Sequence, residues 1–347
     1  MTVLTRPIDF TLPESNVAAL PAERRGAGRD DVRMMVARRL TGSVEHAPFS
    51  AITRLLMPGD VLVVNNSATI PAAVDAWSAD GTRVKVHFAN PAPGGLWDVE
   101  IRSLTGDGGT VPGPDWSPRL LRLAGGAELH LLKRNSKSSR LWHAWVDGVA
   151  DVDSYLVAHG EPIRYAPGPA LPIDAYQTVF SADPGSAEMP SAARAFTTGL
   201  VTDLIARGVV VVPITLHAGV SSYEDDEWPG DERYEVTEPT AAVINAMRSG
   251  GGKVIATGTT VVRALETVAD STGVVHPGRG VTDTVVTPLT GARAVDGLLT
   301  GWHEPRSSHL TLMESFLARD LLDRVYQEAL DCGYLWHEFG DLLLILP

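Results

Sequence analysis

The run Lys253-Val-Ile-Ala-Thr-Gly-Thr-Thr-Val-Val-Arg-Ala-Leu-Glu266 reads as a short buried strand that passes through Gly258 directly into a helix. From Thr259 the period changes, with Val261, Leu265 and Val268 on one helical face and Thr259, Arg263 and Glu266 on another. Two readings of the polar face stay open. Arg263 and Glu266 could form an intrahelical pair on solvent. Alternatively, Gly258, Thr259 and Thr260 present N–H groups and hydroxyls to an anionic or polar ligand.

The same order recurs on either side. Thr197 to Arg207 has helical spacing with Gly208 as its stop, and residues 209–216 form an apolar strand ending at His217. Thr237-Glu-Pro-Thr240 opens a helix that closes at Gly250-Gly-Gly252; because this glycine run ends a helix and precedes a strand, it is not a phosphate loop. Helices are expected over Leu310 to Phe316 and Leu321 to Leu330, and a last strand over Leu342 to Leu346. Upstream, Pro58-Gly-Asp-Val-Leu-Val-Val-Asn65 predicts another buried strand with polar groups at its C-terminal end, a common place for a site. Alternating strands and helices imply a mixed α/β fold. From Val74 to Asp147 the texture becomes short alternating runs split by glycine and proline, which predicts a small β-barrel or sandwich. The expected organisation is therefore a main α/β domain, residues 1–73 with 151–347, interrupted by an inserted β-barrel-like domain, residues 74–150.

At 347 residues, 44% hydrophobic and 20% charged, the chain can bury a large core and does not have a disordered composition. A lone cysteine, Cys332, excludes an intrachain disulfide and a thiolate metal site and reads as a buried structural thiol in a reducing compartment. With neither an apolar leader nor a membrane-length apolar run, a cytoplasmic location is expected. The formal net charge of −13 argues against a surface that attracts nucleic acid as a whole. Basic clusters exist locally: Arg6, Arg24, Arg25, Arg29, Arg33, Arg38 and Arg39 near the start, and Lys133, Arg134, Lys137 and Arg140, the last group a candidate RNA contact. Solvated charge is the plainer reading of both, and of the acidic run from Glu224 to Glu232.

His217-Ala-Gly219 and His303-Glu-Pro-Arg306 each place an imidazole beside a turn, where it could exchange protons near neutral pH. The sequence has no metalloprotease helix, no paired cysteine site, no Gly-x-Ser-x-Gly elbow and no dinucleotide fingerprint after a strand, so no metal is expected.

Taken in order, ten segments resemble the S-adenosylmethionine:tRNA ribosyltransferase-isomerases of queuosine synthesis. They are Phe10-Thr-Leu-Pro13, Pro58 to Asn65, Ile70-Pro71, Tyr176-Gln-Thr-Val-Phe180, Thr215-Leu-His-Ala-Gly219, Tyr234-Glu-Val236, Gly258 to Glu266, Val295-Asp-Gly-Leu-Leu-Thr300, His303 with Pro305-Arg-Ser307, and Gly340-Asp341. The resemblance implies an α/β domain interrupted by a β-barrel. It also implies a reaction that moves the ribosyl part of S-adenosylmethionine onto the aminomethyl group of a 7-deazaguanine in tRNA. Adenine and methionine leave, and the ribose becomes an epoxycyclopentane.

By matching position, the resemblance makes His217 and His303 candidates for proton transfer, with Asp296 or Asp341 orienting an imidazole. Arg263 and Arg306 become candidates to hold a carboxylate or phosphate, and Glu266 to fix Arg263 or a ribose hydroxyl. Asn65, Gly258, Thr259 and Thr260 fall to the polar edges of S-adenosylmethionine. Trp302 could face the sulfonium, although a core or rim tryptophan is the plainer reading. The chain departs from the family pattern at Ala195, a histidine position, and at Arg194, Asn66, Ala68 and Leu335. Those losses bear on the tRNA acceptor more than on S-adenosylmethionine. They leave open a small-molecule acceptor, cleavage of S-adenosylmethionine without an acceptor, or a non-catalytic protein that binds S-adenosylmethionine or RNA.

Overall fold

The structure, a computed structural model, describes residues 8–26, 28–106, 109–113, 119–165, 169–220 and 228–347. Among these, a nine-stranded mixed sheet runs in the order Gly278–Thr282, Glu232–Val236, Val210–Leu216, Val61–Asn65, Val254–Thr257, Gly297–Gly301, Leu342–Leu346, Arg33–Arg38, Val44–Pro48. Its centre, from Val210–Leu216 to Gly297–Gly301, is four parallel strands. Alternate residues feed two cores. Val61 and Val63 pack on one side with Val261, Val262, Ala264 and Leu265 of the Thr259–Val268 helix. Leu62 and Val64 pack on the other with Leu200 and Leu204 of the Thr198–Ala206 helix. Both faces are covered, which is why these strands read as continuous apolar runs. The fold is mixed α/β, as the sequence predicts.

The predicted caps form. Thr197 accepts from the N–H of Leu200 and Thr237 from that of Thr240, while Gly208 takes a φ of 88° beyond the helix end. The helices expected over Leu310 to Phe316 and Leu321 to Leu330 span Ser308–Met313 and Arg319–Asp331. Five strands of this sheet escape the pattern reading, Gly297–Gly301 among them. Arg33–Arg38 buries Met34 to Ala37 between two arginines that disguise it as a basic tract, and Val44–Pro48, Glu232–Val236 and Gly278–Thr282 are mostly polar strands toward the sheet's edges.

Several charge assignments need correction. Arg25 donates to the carbonyls of Leu20 and Phe339, Arg29 to that of Gln177, and Arg33 to Asp341, so these arginines tie segments together. Arg6 lies outside the described residues, as do the first four carboxylates of the acidic run. Cys332 is exposed, not buried, because it caps the surface end of the Arg319–Asp331 helix.

Residues 73–147 contribute seven antiparallel strands, among them Ala73–Trp77, Thr110–Pro112 and Leu120–Leu123, which are short enough to be lost among turns. The far strand Leu141–Asp147 pairs back onto Leu96–Leu104, so the pairings form a ring. This sheet has its own core, which extends past residue 150 to Tyr155, Leu156 and Ile163.

Asp341, buried at the start of the last strand, accepts from the backbone N–H groups of Arg33 and Leu335 at 2.8 and 2.9 Å, and from the Arg33 guanidinium. Replacing it with leucine strands two N–H groups. Asp341→Leu should therefore cost about 3 kcal/mol in chemical denaturation; a loss under about 0.5 kcal/mol would show the carboxylate to be dispensable for folding.

Candidate active site

Each of the four parallel strands carries its polar side chain at the C-terminal end: Asn65, Thr215, Thr257 and Thr300. Just beyond these ends lies a cleft of about 210 Å³. Open α/β sheets bind ligands at this edge. Gly258 turns the chain there with a φ of 93°, and its N–H donates to Leu299 at 2.7 Å, so the turn is fixed to the neighbouring strand. Gly258, Thr259 and Thr260 all line the cleft; the Val261 N–H donates to the Gly258 carbonyl at 3.2 Å, while those of Thr259 and Thr260 precede the first intrahelical bond. This favours the ligand-facing reading of the run. The solvent ion-pair reading fails, because Arg263 and Glu266 are both buried and turn to different partners.

Arg263 bonds to Glu232 and donates to the carbonyls of Thr284 and Gly230 at 3.0 Å. Glu232 also accepts the N–H of Gly219 at 3.0 Å, so the arginine braces the loop that carries Ala218 to Val220 along the cleft wall. Glu266 instead accepts the N–H groups of Arg293 and Ala294, both at 2.8 Å.

From the adjoining strand come Trp302, His303 and Glu304. The His303 ring stacks on His309 at 4.6 Å and 22°, with its Nε2 at 2.9 Å from Thr300 Oγ1, while His309 Nδ1 lies 3.1 Å from Ser307 Oγ. Burial, then the neighbouring imidazole, pushes His303 down to about 3, and burial pushes His309 down to about 4, so both rings are neutral at physiological pH. The pair stands on an aromatic shelf: Trp302 packs against Tyr326, Tyr334 and Trp336, and the Trp336 indole donates to the His303 carbonyl at 3.0 Å. Trp302 is thus a core residue that also reaches the cleft.

The cleft also carries acidic groups. His337, at a φ of 74°, holds Glu304 through Nδ1 at 2.9 Å; burial opposes its charge, but the carboxylate raises its pKa. Burial and then the charge of Glu188 push Glu338 up to about 8, and Tyr165 donates its hydroxyl to Glu188. The sequence reading missed His309, Glu188, Glu304, His337 and Glu338. His309 had a signal, its position six residues after His303 in a polar run, and Glu304 directly follows His303; Glu188, His337 and Glu338 come from distant segments.

The remaining sequence candidates lie elsewhere. His217 is buried behind the wall, bonded through Nδ1 to Ser67 Oγ at 2.8 Å, with its ring against Gly185 where a β-carbon would collide; burial pushes it down to about 4. Asn65 is fully buried and spends its carboxamide on both backbone groups of Leu216, the N–H of Ser67 and Thr260. Asp296 accepts the N–H of Val254 at the far end of the sheet and pairs with Arg248, and Asp341 holds Arg33, so neither touches an imidazole. Arg306, at a φ of 62°, faces Asp9 at 3.9 Å. The proposed RNA cluster is largely committed: Arg140 is buried on Glu100, Arg134 covers the Trp142 ring, and Lys137 pairs with Asp231. At the departures from the family pattern, Arg194 is buried on Glu23 and over the Phe339 ring, Ala195 packs in the core, and Asn66 accepts from Thr215. Among the described residues, one group has metal-ligand spacing, Glu128, His130 and Asp147, and none of the three lines the cleft.

A mixed α/β protein with neutral imidazoles, a helix N-terminus and paired carboxylates at its parallel strand ends has the makings of an acid–base enzyme. Residues 5–345 match the family described as queuosine biosynthesis protein. The chain is 35% identical to the S-adenosylmethionine:tRNA ribosyltransferase-isomerase of Symbiobacterium thermophilum, across 97% of this chain and 98% of that one, and 32% identical to that of Geobacter sulfurreducens, across 99% and 100%. The crystal structure of S-adenosylmethionine tRNA ribosyltransferase from Thermotoga maritima superposes with a TM-score of 0.55 at 27% identity, covering 98% of this chain and 99% of that chain. The chain belongs to the S-adenosylmethionine:tRNA ribosyltransferase-isomerase family.

The buried imidazoles set a pH dependence. Their folded pKa values lie below the unfolded value of about 6.5, so the unfolded state binds more protons between the two. The stability they contribute is complete above about pH 6.5 and is lost as pH falls toward about 4. Wild type should therefore lose more stability than His303→Gln over that interval, read from urea midpoints at stepped pH. Parallel curves for the two proteins would place the titration elsewhere.

Proposed function

We propose that the chain transfers and isomerises the ribosyl group of S-adenosylmethionine onto the 7-aminomethyl-7-deazaguanine of a tRNA, releasing adenine and methionine. The observation that carries this reading is the stacked, neutral His303–His309 pair beside the Thr259–Val268 helix N-terminus, in a chain similar to its relatives from end to end. The sulfonium acidifies the adjoining 5′ carbon of the ribose. A neutral imidazole can take that proton without first losing one of its own, and adenine is expelled. His303 is the proposed base, held by Thr300 and Trp336, with His309 stacked behind it.

The first-turn N–H groups and hydroxyls of Thr259 and Thr260 suit the methionine carboxylate. Glu188, with Glu338 beside it, suits the cations of both substrates, whose charge would favour ionisation of Glu338. In this reading Arg263 and His217 position the wall, and Asn65, Glu266, Asp296, Asp341 and Arg306 serve the scaffold. Residues 1–73 and 151–347 form the catalytic unit, with residues 74–150 as an inserted, barrel-like unit; the ring of strand pairings supports that division, and the core of the inserted unit also takes in Tyr155, Leu156 and Ile163 from the segment that follows it. The reaction is placed in the cytoplasm, where tRNA is available; among the described residues no helix is long and apolar enough to cross a membrane. The chemistry described needs no metal ion.

Incubation of the protein with S-adenosylmethionine, with and without tRNA carrying the aminomethyl-deazaguanine, should release adenine and methionine only when that tRNA is present. Release without it would favour another acceptor or simple cleavage, and binding without turnover would favour a sensor. His303→Ala should lower the rate of adenine release by about 100-fold or more with S-adenosylmethionine binding retained. A loss below about threefold would remove His303 from proton transfer.

A further inference from the structure

The antiparallel pairing of Glu232–Val236 with Gly278–Thr282 ends at Glu232 and Thr282, and beyond it the same register sets Asp231 opposite Asp283 and Gly230 opposite Thr284. This end of the two-stranded ribbon is held by side chains from two directions. From inside, the buried Arg263 donates to the carbonyls of Gly230 and Thr284, both at 3.0 Å. From outside, one ammonium serves the other pair: Lys137 Nζ lies 2.6 Å from an Asp231 carboxylate oxygen and 3.5 Å from one of Asp283. Without that charge two carboxylates would face each other across the ribbon, an arrangement that disfavours pairing.

Lys137 comes from the seven-stranded sheet, in the turn between Glu128–Arg134 and Leu141–Asp147. Asn135 Oδ1 accepts the Lys137 N–H at 2.8 Å and Arg134 donates to the Ser139 carbonyl at 2.9 Å, so the turn is shaped by its own contacts before the lysine reaches across. A second contact crosses at the same place. Asn90, on Arg83–Ala92, donates to the Asp231 carbonyl at 3.2 Å and lies so close to Gly219 that a β-carbon there would come within 2.5 Å of its Nδ2. What these contacts hold is one wall of the cleft. Glu232, next to Asp231, bonds to Arg263 and accepts the Gly219 N–H, and Ala218, Gly219, Val220, Gly230 and Glu232 line the cleft, whereas Lys137 does not. We propose that Lys137 is a positioning residue for the cleft: by holding Asp231 and Asp283 together across the open end of the ribbon, it fixes Glu232 and, through it, the Ala218 to Val220 wall. An ion pair this exposed adds little to global stability, so its loss loosens the wall and leaves both sheets folded. The substrate that feels the wall rests on the function proposed above, whereas the clamp itself does not.

The Gly219 amide reports on the clamp without any ligand, because its N–H is held by Glu232. In Lys137→Ala its hydrogen exchange should speed up about fivefold while the amides of Leu342–Leu346 keep their rates, and Lys137→Arg should return Gly219 to within about twofold of wild type. Charge reversal gives an independent check: Lys137→Glu should loosen Gly219 further, and Lys137→Glu combined with Asp231→Lys should restore it. Gly219 exchange unchanged in Lys137→Ala, or unaffected when the charge is restored, would overturn the proposal. Arg263 stands one turn along the helix from Thr259, so a loosened wall reaches the end proposed for the methionine carboxylate. In the adenine-release assay, Lys137→Ala should therefore raise the KM for S-adenosylmethionine about threefold with kcat within about twofold of wild type. An unchanged KM beside faster Gly219 exchange would overturn the positioning role and leave a purely structural tie. Absence of adenine release from wild type would remove the proposed function while Gly219 exchange still decides the clamp.

Discussion

The central parallel strands are covered on both faces, by one core that includes the Thr259–Val268 helix and another that includes the Thr198–Ala206 helix. Under that constraint a polar side chain within a strand has no water and few partners, so the polar residues gather where the strands stop. Asn65, Thr215, Thr257 and Thr300 are the result. Asn65 is fully buried even there, and it persists because both backbone groups of Leu216, the N–H of Ser67 and the Thr260 hydroxyl use its carboxamide. The candidate site is assembled beyond this edge, from Gly258, Trp302 and the loops that reach over them.

Burial then sets the electrostatic character of the cleft. The same loss of solvent lowers His303 and His309 and raises Glu338, so groups of opposite type converge on the uncharged state at neutral pH. A site of this kind is poorly shielded, and a charged ligand feels each dipole and each remaining carboxylate more strongly than it would in water. The fully formed pairs serve geometry instead. Arg263 on Glu232 and His337 on Glu304 hold two walls at fixed positions, and each partner is consumed by the other. The departures from the family pattern fit this division: Arg194 is compensated by Glu23 and the Phe339 ring, and Ala195 is absorbed into a core, so both positions belong to the supporting structure.

The sequence by itself determined the α/β class, the Val61–Asn65 and Leu342–Leu346 strands, the capped helices after Thr197 and Thr237, and the Gly258 turn with its helix, because each depends on local periodicity or on a backbone conformation that one residue type permits. It also pointed to Gly258, Thr259 and Thr260, at a strand end visible from pattern, and to His303, a histidine beside a turn, and all four line the cleft. Arg33–Arg38 was hidden because its outward charges outweighed its buried centre, and the polar Glu232–Val236 and Gly278–Thr282 strands carried no strong period. Which charged residues are structural was decided only by the tertiary structure: Asp296, Asp341, Glu266 and Arg140 find their partners tens to hundreds of residues away or on other strands. That Glu188 and Glu338 meet Glu304 in one cleft was equally invisible, because no spacing rule links segments that meet only when the chain closes over the sheet edge. Local geometry is written in short-range sequence, whereas desolvation and charge pairing depend on what the folded chain brings within a few ångströms.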